Sequence, residues 1–451
     1  MTRRFVVIGG DAAGMTAASQ AKRMAGDALD VVAVERGRWA SYSACGIPYW
    51  IGGEVAQVHD LVARSPQQHR ANGIDVRMGA EAVELDVPGQ SVTVRDVESG
   101  SRTTLEYDEV LVATGARPIR PDLPGIDGAG ILDVQTLDDG RRLLDALTSG
   151  RRVRNAVVVG GGYIGVEMAE ALLRRGLRVT LVEQAEEPLA LLDADLGRRV
   201  RDGMEKAGVT VLRATAVTGF EAGADGWVRA VSTTAGQVDA DVVVLGLGVQ
   251  PEVALAEAAG LPIGDNDGLR TDPRMSVAPG VWAAGDCVEV RDRVFDRWVR
   301  VALGTHANKQ GRVVGINVGG GQSQFPGVIG TAITRFCHLE AARTGAMVAE
   351  ARDAGLDVVV ETIETTTHAG YLPDAEPMTV RMLAEKGTGR LLGAQIVGGR
   401  GAAKRIDVCA LALWAEMSVA DLAMSDLAYA PPFSSVWDPV QVAARALCAV
   451  V

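Results

Sequence analysis

Cysteine is scarce in this 451-residue chain, and no two of its five (Cys45, Cys287, Cys337, Cys409, Cys448) fall at CxxC spacing. That argues against a zinc or iron–sulfur ligand set, so no metal is expected. An odd, scattered set is also not a disulfide framework, and it points to a reducing, cytoplasmic setting. Lysine is limited to Lys22, Lys206, Lys309, Lys386 and Lys404, and the formal net charge is −12. With no basic run or stripe, nucleic acid is not an expected partner. No stretch of 18 apolar residues is free of charge, so neither a transmembrane helix nor a membrane partner is expected. Arg3-Arg4 precede an apolar run as in an export signal. That run is glycine-rich and contains Asp11, and it reads better as the first strand of a nucleotide fold.

What is present is apolar and glycine-punctuated. Hydrophobic residues make up 47% of the chain, enough for two or three packed α/β domains. Phe5-Val6-Val7-Ile8 reads as a buried strand, Gly9 to Gly14 as a turn, Met15 to Met24 as a helix and Val31 to Val34 as a second strand ending in Glu35. Glycines at the turn let backbone amides approach a pyrophosphate, and an acid about twenty residues on takes ribose hydroxyls. Asp11 stands where the second fingerprint glycine belongs, so its carboxylate must turn away from the phosphates or act through water. A glycine turn of any α/β protein is the competing reading of this copy.

The second copy is complete. Ala156 to Val159 lead into Gly160, Gly162 and Gly165, then a helix over 166–175 and a strand over 178–182 ending in Glu183. Two such units, each closed by an acid, predict two dinucleotides. Glu183 suits a free 2′-hydroxyl and repels a 2′-phosphate, which favours NADH over NADPH. Tyr163 lies inside this turn, either as a lid over a flavin or as packing.

Alternation from 72 to 108 predicts an inserted sheet. Tyr107 to Thr114 read as a strand running into Thr114-Gly115, and 241–251 as one leaving the second nucleotide unit. The strand Gly280 to Ala284 delivers Gly285-Asp286, where Asp286 can hold ribityl hydroxyls or cap the next helix. From about Phe325, strands at 335–340, 358–365, 378–383 and 392–397 and helices at 407–417 and 419–427 predict a separate α+β domain, a candidate dimerisation module. Two of its loops carry Tyr371 and Tyr429.

The stretch Ser41 to Tyr49 places Cys45 ten residues beyond Glu35, within reach of the ring of a flavin on the first turn. Pro48 suits the first turn of a helix, whose N-terminus beside Cys45 favours thiolate. The ordinary alternative is a buried cysteine acting as a small hydrophobe.

Taken together, two nucleotide folds, Ala113-Thr114-Gly115, Ala284-Gly285-Asp286 and the C-terminal α+β domain resemble the flavoprotein pyridine nucleotide-disulfide oxidoreductases over essentially the whole chain. Ser41-x-x-x-Cys45-Gly46-Ile47-Pro48-Tyr49, Tyr371 and Tyr429-Ala430-Pro431-Pro432 resemble the single-cysteine branch typified by coenzyme A-disulfide reductase. The resemblance implies a fold of two Rossmann-like domains, for FAD (1–114 and 254–325) and NAD (115–253), with a dimerisation domain over 326–451. It implies a homodimer in which Tyr371 and Tyr429 reach the partner's Cys45. It further assigns cofactor contacts to Gly9, Gly10, Ala13, Gly14, Glu35, Arg36, Ser43, Thr114, Gly115, Gly160, Gly162, Tyr163, Ile164, Gly165, Glu183, Gly248, Gly285, Asp286, Thr305 and Ala307. Gln20, Lys22, Arg23 and Ser41 are candidate contacts to a coenzyme A-like substrate; for the first three, a solvated helix face is the alternative.

Sister branches fit less well. Trp50 occupies the place of a second cysteine, no His-Pro pair occurs, and the Gly9–Gly14 loop has no histidine. Three activities follow: NADH-dependent reduction of a small disulfide, persulfide or polysulfide through Cys45; an oxidase or peroxidase cycling Cys45 through sulfenic acid; and a flavin-bound redox sensor or electron carrier to a protein.

Overall fold

The structure, a computed structural model, describes residues 2–451. Arg3–Ile8 is the centre of a six-stranded sheet, and its last four residues are fully covered. The sheet order is Ser276–Ala278, Val281–Ala283, Glu109–Val112, Arg3–Ile8, Leu29–Glu35, Ile74–Met78. All pairings are parallel except the outermost, which accounts for near-continuous apolar runs rather than alternation. The chain thus leaves this sheet after Val112 and returns to it at Ser276.

Between those points lies a second sheet, Thr210–Leu212, Arg178–Val182, Asn155–Val159, Val242–Leu245 and Ile131–Asp133, parallel throughout. The chain passes out and back along an antiparallel ribbon of Ala116–Pro118 and Val249–Pro251. Thr114 braces the crossing by donating its hydroxyl to the Glu252 carbonyl at 2.5 Å.

The helix Ala12–Ala25 lies against Gly304–Val318, and small residues allow their backbones to touch. A Cβ at Gly311 would stand 2.2 Å from the Ala13 carbonyl oxygen, and one at Gly315 2.6 Å from that of Ala17. This contact presents both helix N-termini beside the Gly9–Gly14 turn.

Several predicted boundaries need correction. Ile74–Met78 joins the main sheet, leaving Ala80–Asp86, Ser91–Asp96 and Arg102–Glu106 as the inserted sheet. The strand expected over 335–340 is a hairpin of Ala332–Phe336 and Leu339–Gly345, turned at Cys337 with φ 55°. The expected helices over 407–417 and 419–427 are Ile406–Trp414 and Val419–Ala423, so Tyr429 lies in irregular chain.

The C-terminal sheet is antiparallel, with Leu391–Gly398 covered at every position. Helices Ile406–Trp414 and Pro439–Cys448 pack on it. This domain nonetheless exposes Tyr371, Leu411, Met424, Tyr429, Phe433, Val436 and Trp437. Among the described residues no helix is long and apolar enough to cross a membrane.

Candidate active site

The two glycine turns make the same close contacts at corresponding glycines. Gly9 and Gly160 have φ of 115° and 99°, and a Cβ on either would strike a carbonyl oxygen of the neighbouring strand end, Ala113 at 2.1 Å or Gly246 at 2.5 Å. Gly14 and Gly165 let each helix close onto its turn, where a Cβ would meet the Gly9 or Gly160 oxygen at 2.0 or 1.8 Å. Glu35 accepts from the Gly10 and Gly37 amides at 2.8 and 2.6 Å. Glu183 accepts from Gly161 and Ala185 at 2.5 and 2.6 Å. Each acid is therefore held at its turn with lone pairs to spare for a ribose. A Cβ at Gly162 would meet nothing within 4 Å, so the second turn leaves room for a ligand to approach its backbone.

Asp11 replaces that open glycine in the first turn, and its carboxylate does turn aside. Oδ1 accepts the Tyr42 amide at 3.1 Å, while the Ser41 amide donates to the Gly10 carbonyl at 2.9 Å. Two hydrogen bonds thus tie the cysteine loop to the first turn. Ser41 is held further by His69 Nε2 at 2.8 Å from its hydroxyl. Cys45 sits in a short 3₁₀ turn, Ala44–Gly46, ahead of the helix Ile47–Ile51. Gly46 leaves room for Leu61, whose Cδ2 would lie 2.3 Å from a Cβ there. Pro48 falls in the first helical turn as expected. Trp50 is buried against Gly140, so the site of a second cysteine in other branches is core here.

The electrostatics correct one expectation. Cys45 is open to solvent on one side, but its thiol is pushed up, not down. Burial is the main cause, Glu167 and Asp286 add repulsion, and the opposing backbone N–H does not outweigh them. A helix of five residues carries too few aligned peptides to favour thiolate against two carboxylates. Burial likewise pushes Asp11 up to about 7, against the Tyr42 amide and with repulsion from Glu35 and Asp286. Burial pushes Asp286 up to about 6, and no donor among the described residues offsets it. A buried carboxyl without a donor fits an acceptor role toward ligand hydroxyls.

Glu167 is a residue the sequence reading missed. It lies one turn beyond Tyr163 on the helix Tyr163–Arg174, and burial raises its carboxyl despite the Thr334 hydroxyl at 2.9 Å. Its spacing of four from Tyr163 was the available signal. Tyr163 itself is part-buried and pushed up to about 12, hence neutral. Gly285 follows its strand with φ 92° and donates to Gln310 at 2.6 Å. Thr305 and Ala307 occupy the first turn of Gly304–Val318, and Gly248 closes the crossing ribbon, where its carbonyl accepts from Ile119.

The proposed substrate contacts divide. Gln20 and Arg23 are paired at 2.8 Å, and Arg312 from the neighbouring helix joins Gln20 at 3.3 Å. Lys22 does not stay free with them: its ammonium is drawn inward to the Leu29 carbonyl at 3.0 Å. Tyr371 and Tyr429 are 74% and 48% exposed, and no hydrogen bond among the described residues joins them to the Cys45 loop of the same chain. Their two loops are instead joined to each other, Ala369 N–H donating to the Pro431 carbonyl at 3.1 Å.

Residues 3–311 match the pyridine nucleotide-disulphide oxidoreductase family, and residues 331–440 match the dimerisation domain of that name. The chain belongs to this family. Among its members, an "NAD(P)H coenzyme A polysulfide/persulfide reductase" of Pyrococcus horikoshii is 36% identical, over 99% of each chain. A protein of Methanocaldococcus jannaschii named NADH oxidase is 32% identical over 98% of each chain. The solved NAD-dependent persulfide reductase of A. fulgidus is 37% identical, with a TM-score of 0.95 over 99% of this chain and 83% of that one. As an oxidoreductase of this family, the chain has the predicted fold of two dinucleotide-binding units and a C-terminal dimerisation domain.

Proposed function

We propose that this chain is a homodimeric, FAD-dependent NADH oxidoreductase that reduces a small disulfide or persulfide through Cys45. Coenzyme A disulfide and coenzyme A persulfide or polysulfide are the foremost substrates. The observation that carries this reading is an open thiol, Cys45, whose loop is hydrogen-bonded directly to the first dinucleotide turn; the other exposed thiol, Cys448, ends the last helix, in the C-terminal domain. All five cysteines are free, and the place where a second redox cysteine would stand is a buried tryptophan. Without a second cysteine there, the oxidised form of Cys45 on this reading is a mixed disulfide with an external thiol, and on the oxidase alternative a sulfenic acid.

FAD, when bound, supplies the two-electron step between nicotinamide and sulfur. The chain's own residues position and protect. The turns 9–14 and 160–165 would hold the pyrophosphates, Glu35 and Glu183 the riboses, and Asp286 would accept from ribityl hydroxyls. The Cys45 thiol first gives its proton to solvent on its open side, and the thiolate then attacks one sulfur of the substrate: the S–S bond breaks, a Cys45 mixed disulfide forms, and one thiolate leaves. A hydride's electron pair and one proton then cleave the mixed disulfide, releasing the second thiol and regenerating the Cys45 thiolate. Tyr371 or Tyr429 of the partner supplies the hydrogen bond or proton that a leaving sulfur needs. Glu183, with no arginine close behind it in sequence, supports NADH over NADPH. Gln20 and Arg23, with Arg312, offer polar contacts to a coenzyme A-like tail.

Cys45→Ser tests this. Disulfide turnover should vanish while NADH still bleaches the flavin; normal turnover in that variant overturns the mechanism. Oxygen consumption with NADH alone, at a rate matching disulfide reduction, would favour the oxidase reading that the M. jannaschii relative keeps in view. Negligible turnover with every small disulfide would favour an electron carrier.

A further inference from the structure

Both tyrosine loops are irregular chain, and one guanidinium holds them. Arg405, just ahead of the helix Ile406–Trp414, is largely buried at 13% side-chain exposure. Its Nη2 donates to the Thr367 carbonyl and to the Phe433 carbonyl, both at 2.5 Å. Nη1 donates to the Gly401 carbonyl at 2.7 Å, and Nε faces Asp438 Oδ2 at 3.4 Å. Thr367 stands four residues before Tyr371, and Phe433 four after Tyr429. The link from Ala369 to Pro431 closes the same unit from the other side.

We propose that Arg405 is the positioning residue of the reduction half-reaction: it fixes Tyr371 and Tyr429 as one rigid pair for delivery to the partner's Cys45. This rests on the reading of those tyrosines as acting at that sulfur. Arg405 touches three backbone carbonyls and one carboxylate, and no reacting atom. A planar fork with five donors can serve three carbonyls and a carboxylate at once, whereas an ammonium on a flexible stem cannot hold the same spread. Loss of the clamp should therefore loosen both tyrosines together.

The test is Arg405→Lys in the flavin-loaded dimer. Disulfide kcat should fall by about ten- to a hundredfold, as for a reacting group displaced by about 1 Å. NADH-dependent reduction of ferricyanide, which needs no tyrosine, should be unchanged. In the Tyr371→Phe/Tyr429→Phe background, adding Arg405→Lys should cost nothing more; a further drop of the same size overturns action through the tyrosines. With fluorotyrosine incorporated, the 19F lines of residues 371 and 429 should both broaden in Arg405→Lys, and unchanged lines overturn the clamp. Asp438→Asn keeps the cap of the last helix and removes only the anion facing Arg405, so it is a milder variant that should shift both lines the same way. Full disulfide turnover in Tyr371→Phe/Tyr429→Phe contradicts the role of the tyrosines, and with it any action of Arg405 on turnover, while the 19F result still reports the clamp.

Discussion

Gly162 and Gly165 belong to one turn yet should fail in opposite ways. A Cβ at Gly165 would lie 1.8 Å from the Gly160 carbonyl oxygen, where an ordinary contact begins near 3.4 Å. Backbone faces backbone, so the helix Tyr163–Arg174 must retreat by about 1.6 Å or the turn must open. Overpacking of this kind costs about 1–3 kcal/mol, and the first-order expectation for Gly165→Ala is a melting point lower by about 2–10 °C. A Cβ at Gly162 meets nothing within 4 Å and its φ is −70°, so Gly162→Ala should cost under about 1 kcal/mol, the penalty of a poorer N-cap. The open space matters instead to a dinucleotide, and displacing its approach should raise the KM for NADH by about tenfold, a loss near 1.4 kcal/mol. The assay pairs thermal melts with NADH titration of flavin reduction. Equal destabilisation of the two variants, or an unchanged KM in Gly162→Ala, would refute the claim that this turn is shaped around a bound dinucleotide.

Other perturbations follow from the same geometry. Glu183→Ser should narrow the proposed preference for NADH by relieving repulsion of a 2′-phosphate; an unchanged ratio of kcat/KM for NADH and NADPH would count against the role proposed for Glu183. Glu167→Gln should lower the Cys45 thiol pKa, because it removes a carboxylate that holds the thiol up, and iodoacetamide labelling against pH should show its midpoint move down rather than stay or rise. Asp11 has its carboxyl raised from 3.8 to about 7 in the folded chain, so the folded state holds the extra proton and stability falls as pH rises through that window. Asp11→Asn keeps an acceptor for Tyr42 and should flatten the profile, gaining at most about 4 kcal/mol above pH 7. Urea unfolding of the apoprotein across pH 4–8 checks this, and parallel profiles would contradict it.

The nucleotide turns were legible because their requirements are local. Gly9, Gly14, Gly160 and Gly165 are fixed by clashes with neighbours that any such turn has, and Glu35 and Glu183 close each unit at fixed spacing. Even the detour of the Asp11 carboxylate followed from its place in the fingerprint, though not its partner, Tyr42, thirty-one residues away. What escaped the sequence is set by distant chain. The thiol of Cys45 is raised by burial and by Glu167 and Asp286, far off in sequence, and these outweigh the local helix. Lys22 is drawn to Leu29, and Arg312 takes its place beside Gln20, because of how two helices pack. The hairpin at Cys337 was missed because its turn carries neither glycine nor asparagine. Arg405 had no local signal for this role, since the tyrosine-loop carbonyls it holds lie 38 and 28 residues away on either side.

The central claim is that Cys45 alone exchanges with an external thiol. Mass spectrometry of the intact, non-reduced protein, before and after dithiothreitol, tests it most directly. A reducible adduct of coenzyme A mass mapped to Cys45, absent from Cys45→Ser, is the predicted result. A Cys45 that carries only oxygen atoms, and gains no adduct on exposure to coenzyme A disulfide, would contradict it.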